Sequence, residues 1–121
     1  DDSLQHGGTL MVHERQGENI ARQLGEILFS ATDLALSYQT LNEMLRLAHS
    51  EDATEQVAAC RLVTTTTVIR ELSDIVLGNC GKSSDVVLLL LAKLATQQTS
   101  RDAMLRSGIM ADAVELLTQH P

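Results

Sequence analysis

Proline is almost missing from this 121-residue chain, the one copy being Pro121. With no internal proline to remove a backbone donor, helices can run without that interruption. Aromatic residues are scarce as well: Phe29 and Tyr38 are the two present, and there is no tryptophan. Basic residues are outnumbered, 9 Lys and Arg against 16 Asp and Glu, giving a formal net charge of −7. Nucleic-acid binding leans on clustered cations and, for single strands, on stacking rings. The two shortages together exclude it as an expectation. Cysteine occurs twice, as Cys60 and Cys80, in neither a metal-type pair nor a disulfide framework. That usage points to a reducing, intracellular compartment, cytoplasmic with the nucleus left open. Long apolar runs are absent too. The longest is the seven residues from Val86 to Ala92, where a membrane span needs about twenty, so no membrane segment is expected. Asp1 and Asp2 stand where a signal peptide would carry a basic region, and no apolar core follows.

The length suits one domain or a few units of a repeat array. Starting at Asp1 and ending at Pro121 just past an apolar helix, the chain reads as a segment of a longer protein. Its glycines cluster at positions 7–8, 17, 25, 78, 81 and 108. Between these breaks apolar residues recur at spacings of three and four among Leu, Ala, Glu, Gln and Arg, as in amphipathic helices. The fold class expected is therefore all-α. Residues 1–17 read as poorly ordered or as part of a first helix, and 18–121 as the helical domain.

Two stretches leave a choice. Ile20, Leu24, Ile27, Ala31, Leu34, Tyr38, Leu41, Leu45 and Ala48 alternate steps of four and three, the pattern of a coiled-coil seam. Within it, however, Ser30-Ala-Thr-Asp33 reads as a capping box that would start a second helix, and Gly25, Ala35 and Ser37 dilute the flanking charges. A helical hairpin is favoured. Residues 63–69, "VTTTTVI", are seven β-branched residues in a row and suit a strand by propensity. Both flanks have helical spacing and a lone strand would lack a partner for its backbone, so a bend between two helices is expected.

The chain also repeats itself. "TVIRELSDIVL" from Thr67 and "GIMADAVELLT" from Gly108 match at Val68/Ile109, Ile69/Met110, Leu72/Ala113, Ile75/Leu116 and Val76/Leu117, an offset of 41 residues. "LRLAHSEDATEQ" from Leu45 and "AKLATQQTSRDA" from Ala92 match at an offset of 47, with Arg46 over Lys93. Helical units of about 40 to 47 residues are the armadillo/HEAT period. The stretch "VVLLLLAKLATQQTSRDAMLRSGIMADAVELL" resembles an armadillo repeat junction: a buried helix ending in Leu91, Leu94 and Ala95, a polar link, a short helix with Met104-Leu105, a bend at Gly108, then an Ile-x-x-x-Ala-Val-x-Leu-Leu helix. The match covers 84–120 well, 41–77 fairly and the first 17 residues poorly. It implies a right-handed α-solenoid of about two to three repeats. The alternative architecture is an antiparallel helical bundle.

"LGNCGKSSD", from Leu77 to Asp85, looks at first like a phosphate loop ending in Gly81-Lys82-Ser83. The G-x-x-x-x-G-K-[ST] pattern needs a glycine at 76, where Val76 stands, and Gly78 lies too close to Gly81 for the nest to form. The stretch is instead expected to end one helix at a glycine and to cap the next with Ser83 or Ser84. His6, His13, His49 and His120 lack metal-pair spacing and no nucleophile elbow occurs, so no metal, cofactor or catalytic residue is assigned. Cys60 reads as a small buried hydrophobe. Cys80 beside Lys82 is a candidate modification site, set against the plainer reading of an ordinary loop thiol.

The resemblance implies a non-catalytic scaffold whose third helices line a concave groove for a partner peptide or helix. Many family members carry an Asn before the Leu-Ala pair of that helix to clamp a ligand backbone. Here Lys93 and Arg46 hold that position, which implies an acidic or phosphorylated partner segment, with Asn42, His49, Leu89 and Gln97 as further groove candidates. A solvated surface is the plain alternative for both cations. Two other functions stay open: self-association of residues 20–48 as a coiled-coil or bundle, giving a homo-oligomer, and a regulatory domain of a larger kinase or exchange factor.

Overall fold

The computed structural model describes residues 2–78 and 81–119, with side chains from Val12 to Thr118. Among these the secondary structure is seven α-helices and no strand: α1 (Asp2–Ser30), α2 (Leu34–His49), α3 (Ala53–Thr64), α4 (Thr66–Gly78), α5 (Lys82–Leu94), α6 (Gln98–Ser107) and α7 (Ile109–Gln119). The all-α expectation holds. None of these helices is long and apolar enough to cross a membrane. Residues 2–17 belong to α1, which runs through Gly17 without a break.

The expected hairpin between the first two helices forms, but Ser30 does not cap the second. Its hydroxyl turns back to the Glu26 and Ile27 carbonyls at 2.9 and 3.3 Å, closing α1. Asp33 is the cap of α2, in extended conformation, accepting a bond from Ala35 N at 2.8 Å. Asp52 does the same for α3 through Glu55 N at 3.0 Å. Such caps satisfy amide donors that have no partner inside the helix. The threonine run is helical on both sides and bends at one residue, Thr65, with φ −93° and ψ 116°. Gly81 and Gly108 make the last two reversals at φ +61° and +83°, backbone that a side chain with a β-carbon resists.

Ser83 and Ser84 are not caps either. α5 starts one residue earlier, at Lys82, with Gly81 before it and no side-chain cap bond. Both serines are buried within the helix, and Ser84 Oγ donates to the Ile75 carbonyl of α4 at 3.0 Å. The candidate Cys80, with Asn79, lies outside the described residues.

Packing follows a three-helix interval: α1 meets α4, α2 meets α5, α3 meets α6 and α4 meets α7. The most extensive contact is α1 along α3, followed by α2 along α5. One core joins them, with Leu41, Met44, Leu62, Leu72, Leu90 and Met104 fully buried. Burial of each such side chain contributes about 1.5–3 kcal/mol. No buried side-chain nitrogen or oxygen among the described residues lacks a hydrogen-bond partner.

The face α1 turns inward is not the 20–48 seam. It is Gly17, Ala21, Gly25 and Leu28, all buried, whereas Ile20 and Leu24 are half-buried and Ile27 exposed. A β-carbon on Gly17 would lie 2.5 Å from Val57 Cγ1 and 2.9 Å from the Ala58 backbone nitrogen. On an open helix Gly17→Ala would gain about 1 kcal/mol of propensity. Here the overlap reverses the sign, and we expect a loss of about 1–3 kcal/mol, read as a lower urea midpoint at unchanged slope.

Candidate functional site

α2 and α5 lie against each other, and each keeps one side in solvent. On α2 that side carries Asn42, Arg46 and His49, at steps of four and three, opposite the buried Leu41, Met44 and Leu47. On α5 it carries Leu89 and Lys93, one turn apart, opposite Val87, Leu90 and Leu94. Five of the six residues singled out in the sequence thus sit on the outward sides of two adjacent helices. Gln97 departs from them: it precedes α6 and lines a hollow of about 500 Å³ with His13, Cys60 and Arg61.

The two cations differ in availability. Arg46 Nε donates to both Glu43 carboxylate oxygens at 3.0 Å, and its Nη2 reaches Glu43 Oε1 at 2.5 Å and Glu55 Oε2 at 2.6 Å. The bonds to Glu43, then Glu55, hold the guanidinium pKa above its ordinary value. Two carboxylates against one cation leave the spot net negative, which repels a phosphate. Lys93, in the last turn of α5, forms no ion pair among the described residues. A cation there also suits the helix dipole, so the position has a purely local explanation as well. Asn42 is exposed, and its Nδ2 donates to the Tyr38 carbonyl of its own helix at 3.0 Å. Leu89 is 59% exposed, a large apolar side chain without a cover.

The Gln97 hollow was not visible in the sequence, because it joins residues far apart in the chain. Arg61 of α3 meets Glu14 of α1 at 2.7 Å, and His13 Nδ1 meets Thr54 Oγ1 at 2.7 Å. The Glu14 hydrogen bond raises the Arg61 pKa. Cys60, expected to be buried as a small hydrophobe, is half-buried, with Ser100 Oγ 3.7 Å from its sulfur. A second hollow, of about 470 Å³, opens between α1 and α4 beside Gly25, Phe29 and Arg70. Among the described residues, no group of three or more His, Cys, Asp or Glu is placed to hold a metal ion.

Comparison of the chain with known protein families, with curated proteins and with solved structures finds no match.

Glu55 supplies a pH signature of this face. Hydrogen bonds from Arg46, then Ser50, hold its carboxyl below the ordinary 4.5. A depressed folded pKa means the contribution is fully present above the unfolded value and is lost as pH falls through the folded one. Wild type should therefore exceed Glu55→Gln in stability at neutral pH, by a small, salt-sensitive margin for so exposed a pair. The gap should close below about pH 4. Urea melts of both proteins from pH 7 down to about pH 3 check it; a gap that stays constant over that range would contradict the assignment.

Proposed function

We propose that this chain is a non-catalytic scaffold of armadillo-like helical units that binds a protein partner on the outward faces of α2 and α5. In this reading α3–α5 is one three-helix unit, α1–α2 are the last two helices of the unit before it and α6–α7 the first two of the unit after it, so that α2 and α5 are the third helices. The observation that carries it is the packing interval, each helix lying against the one three places further on. The α4/α7 match at 41 residues and the left-handed Gly108 between α6 and α7 support the same reading. A stacked array exposes one helix of each unit side by side, and such surfaces take extended segments or helices.

The chemistry of the face narrows the partner. Leu89 offers an apolar anchor and Lys93 an unpaired cation one turn away, while Arg46 is engaged by its own carboxylates. The best fit is a segment with an apolar side chain over Leu89 and a carboxylate toward Lys93. A phosphate clamped between Lys93 and Arg46 fits less well.

Peptides selected from a random display library against the 121-residue chain test this reading. Mapped by amide chemical shifts, bound peptides should perturb residues around Asn42, His49, Leu89 and Lys93. Leu89→Asp should weaken them by at least about tenfold, the loss expected on removing an anchor, and Lys93→Glu by a smaller factor that shrinks in salt. Peptides mapping to another face, or indifferent to both substitutions, would overturn it.

A further inference from the structure

The segment that suits the α2–α5 face, with an apolar side chain over Leu89 and a carboxylate toward Lys93, occurs in this chain on α5 itself. Asp85, Leu89 and Lys93 follow one another along it at steps of four, and all three are exposed, Leu89 at 59%. They lie opposite the buried Val87, Leu90 and Leu94, so the row takes no part in the chain's own core. Neither charge is spent within the chain: among the described residues, Asp85 and Lys93 enter no ion pair. Asp85 stands in the first turn of α5 and Lys93 in the last. The helix dipole accounts for the two signs, but not for an exposed leucine midway between them.

An acid–apolar–base row is its own complement when reversed. Turned end for end about Leu89 it reads base–apolar–acid, so that each carboxylate meets an ammonium and leucine lies beside leucine. Each charge is four residues from Leu89, about 6 Å along the axis, and one register therefore satisfies both pairs. Rows of residues four apart lie alongside each other when two helices cross at about −50°, the commonest packing class. Among the described residues, no other helix carries acid, exposed apolar residue and base at successive steps of four. A foreign segment would have to supply the same three groups at the same spacing, whereas a second copy supplies them by symmetry.

We propose that the occupant of this face is α5 of a second copy of this chain, the two helices antiparallel, with Asp85 of each copy against Lys93 of the other and the two Leu89 side chains between. The proposal rests on the reading of α2–α5 as a docking face and names its partner. Such a contact is isologous, so it closes at a dimer. Two exposed charge pairs around one apolar contact make it weak, and the dimer belongs to high local concentration.

Sedimentation equilibrium from about 10 μM to about 1 mM protein, in about 0.15 M salt, decides it. The wild-type mass should rise from 13.1 kDa toward twice that value and stop. Asp85→Lys and Lys93→Asp each set like charges across the contact and should each weaken association by at least about tenfold. Mixed in equal amounts, the two variants should form a dimer of about wild-type strength, because every facing pair is again opposite in sign. The double variant Asp85→Lys/Lys93→Asp should dimerise alone, since the reversed row is also its own complement. Circular dichroism matching wild type shows that these exposed substitutions leave the fold intact. Three results would overturn the proposal: a wild type that stays monomeric throughout, a mixture that associates no better than its components, or a mass that grows past the dimer. Each leaves the peptide assay of the same face free to succeed, so the inference and the reading it rests on fail separately.

Discussion

Gly17, Ala21 and Gly25 stand four residues apart on α1, and the missing side chains let its backbone come down on α3 and α4. On the α3 side the small residue Ala58 is buried, with its backbone nitrogen beside Gly17. Val57 and Val68 fill the space that β-carbons on Gly17 and Gly25 would occupy. Close approach of this sort gains dispersion contacts along the whole helix, and a gap of even half an ångström forfeits a good part of them. Polar ties along the edge of the same contact, Glu14 to Arg61 and His13 to Thr54, fix its register. Through α3 and α4 the placement of α1 reaches α2, α6 and α7, which pack on those two helices.

That constraint was the hardest part of the fold to read. A search for apolar periodicity weights large residues, so on α1 it finds Ile20, Leu24 and Ile27 and passes over a face made of glycine and alanine. Gly25 counted as a dilution of the seam when it is part of the core face. Elsewhere large residues do mark the core, and reading was easier: Leu41, Met44 and Leu47 on α2 and Leu72 and Val76 on α4 are buried where their spacing puts them. The bend in "VTTTTVI" was legible because the helical flanks outweighed local propensity. The caps were legible as regions but not as residues. Ser30, Ser83 and Ser84 were candidates on type alone, and each spends its hydroxyl or its burial on something other than capping.

The two halves of the chain also reach similar arrangements by different local means. α2 and α3 open on aspartate caps, and α3 passes to α4 through an extended threonine. α5 and α7 open instead on glycines in positive φ. Turn chemistry can change at each junction while the packed faces keep their spacing. This is why the repeat emerges as two partial matches at offsets of 41 and 47 and not as a single clean period.

The same divergence decides the candidate binding face. Arg46 and Lys93 fall at matching positions and carry the same sign, yet only one is available to a ligand. Three residues before Arg46 stands Glu43, which binds it; three before Lys93 stands Leu90, fully buried. The second carboxylate at Arg46 comes from Glu55, beyond the loop after α2, where Ser50 steadies it with a bond of 2.7 Å. After α5 the corresponding loop holds Thr96, whose hydroxyl donates to the Lys93 carbonyl, and among the described residues no carboxylate pairs with the ammonium. A basic residue in register with another was the signal in the sequence. Its availability depends on what stands one turn earlier and across the next loop, and the repeat alignment alone does not carry that information.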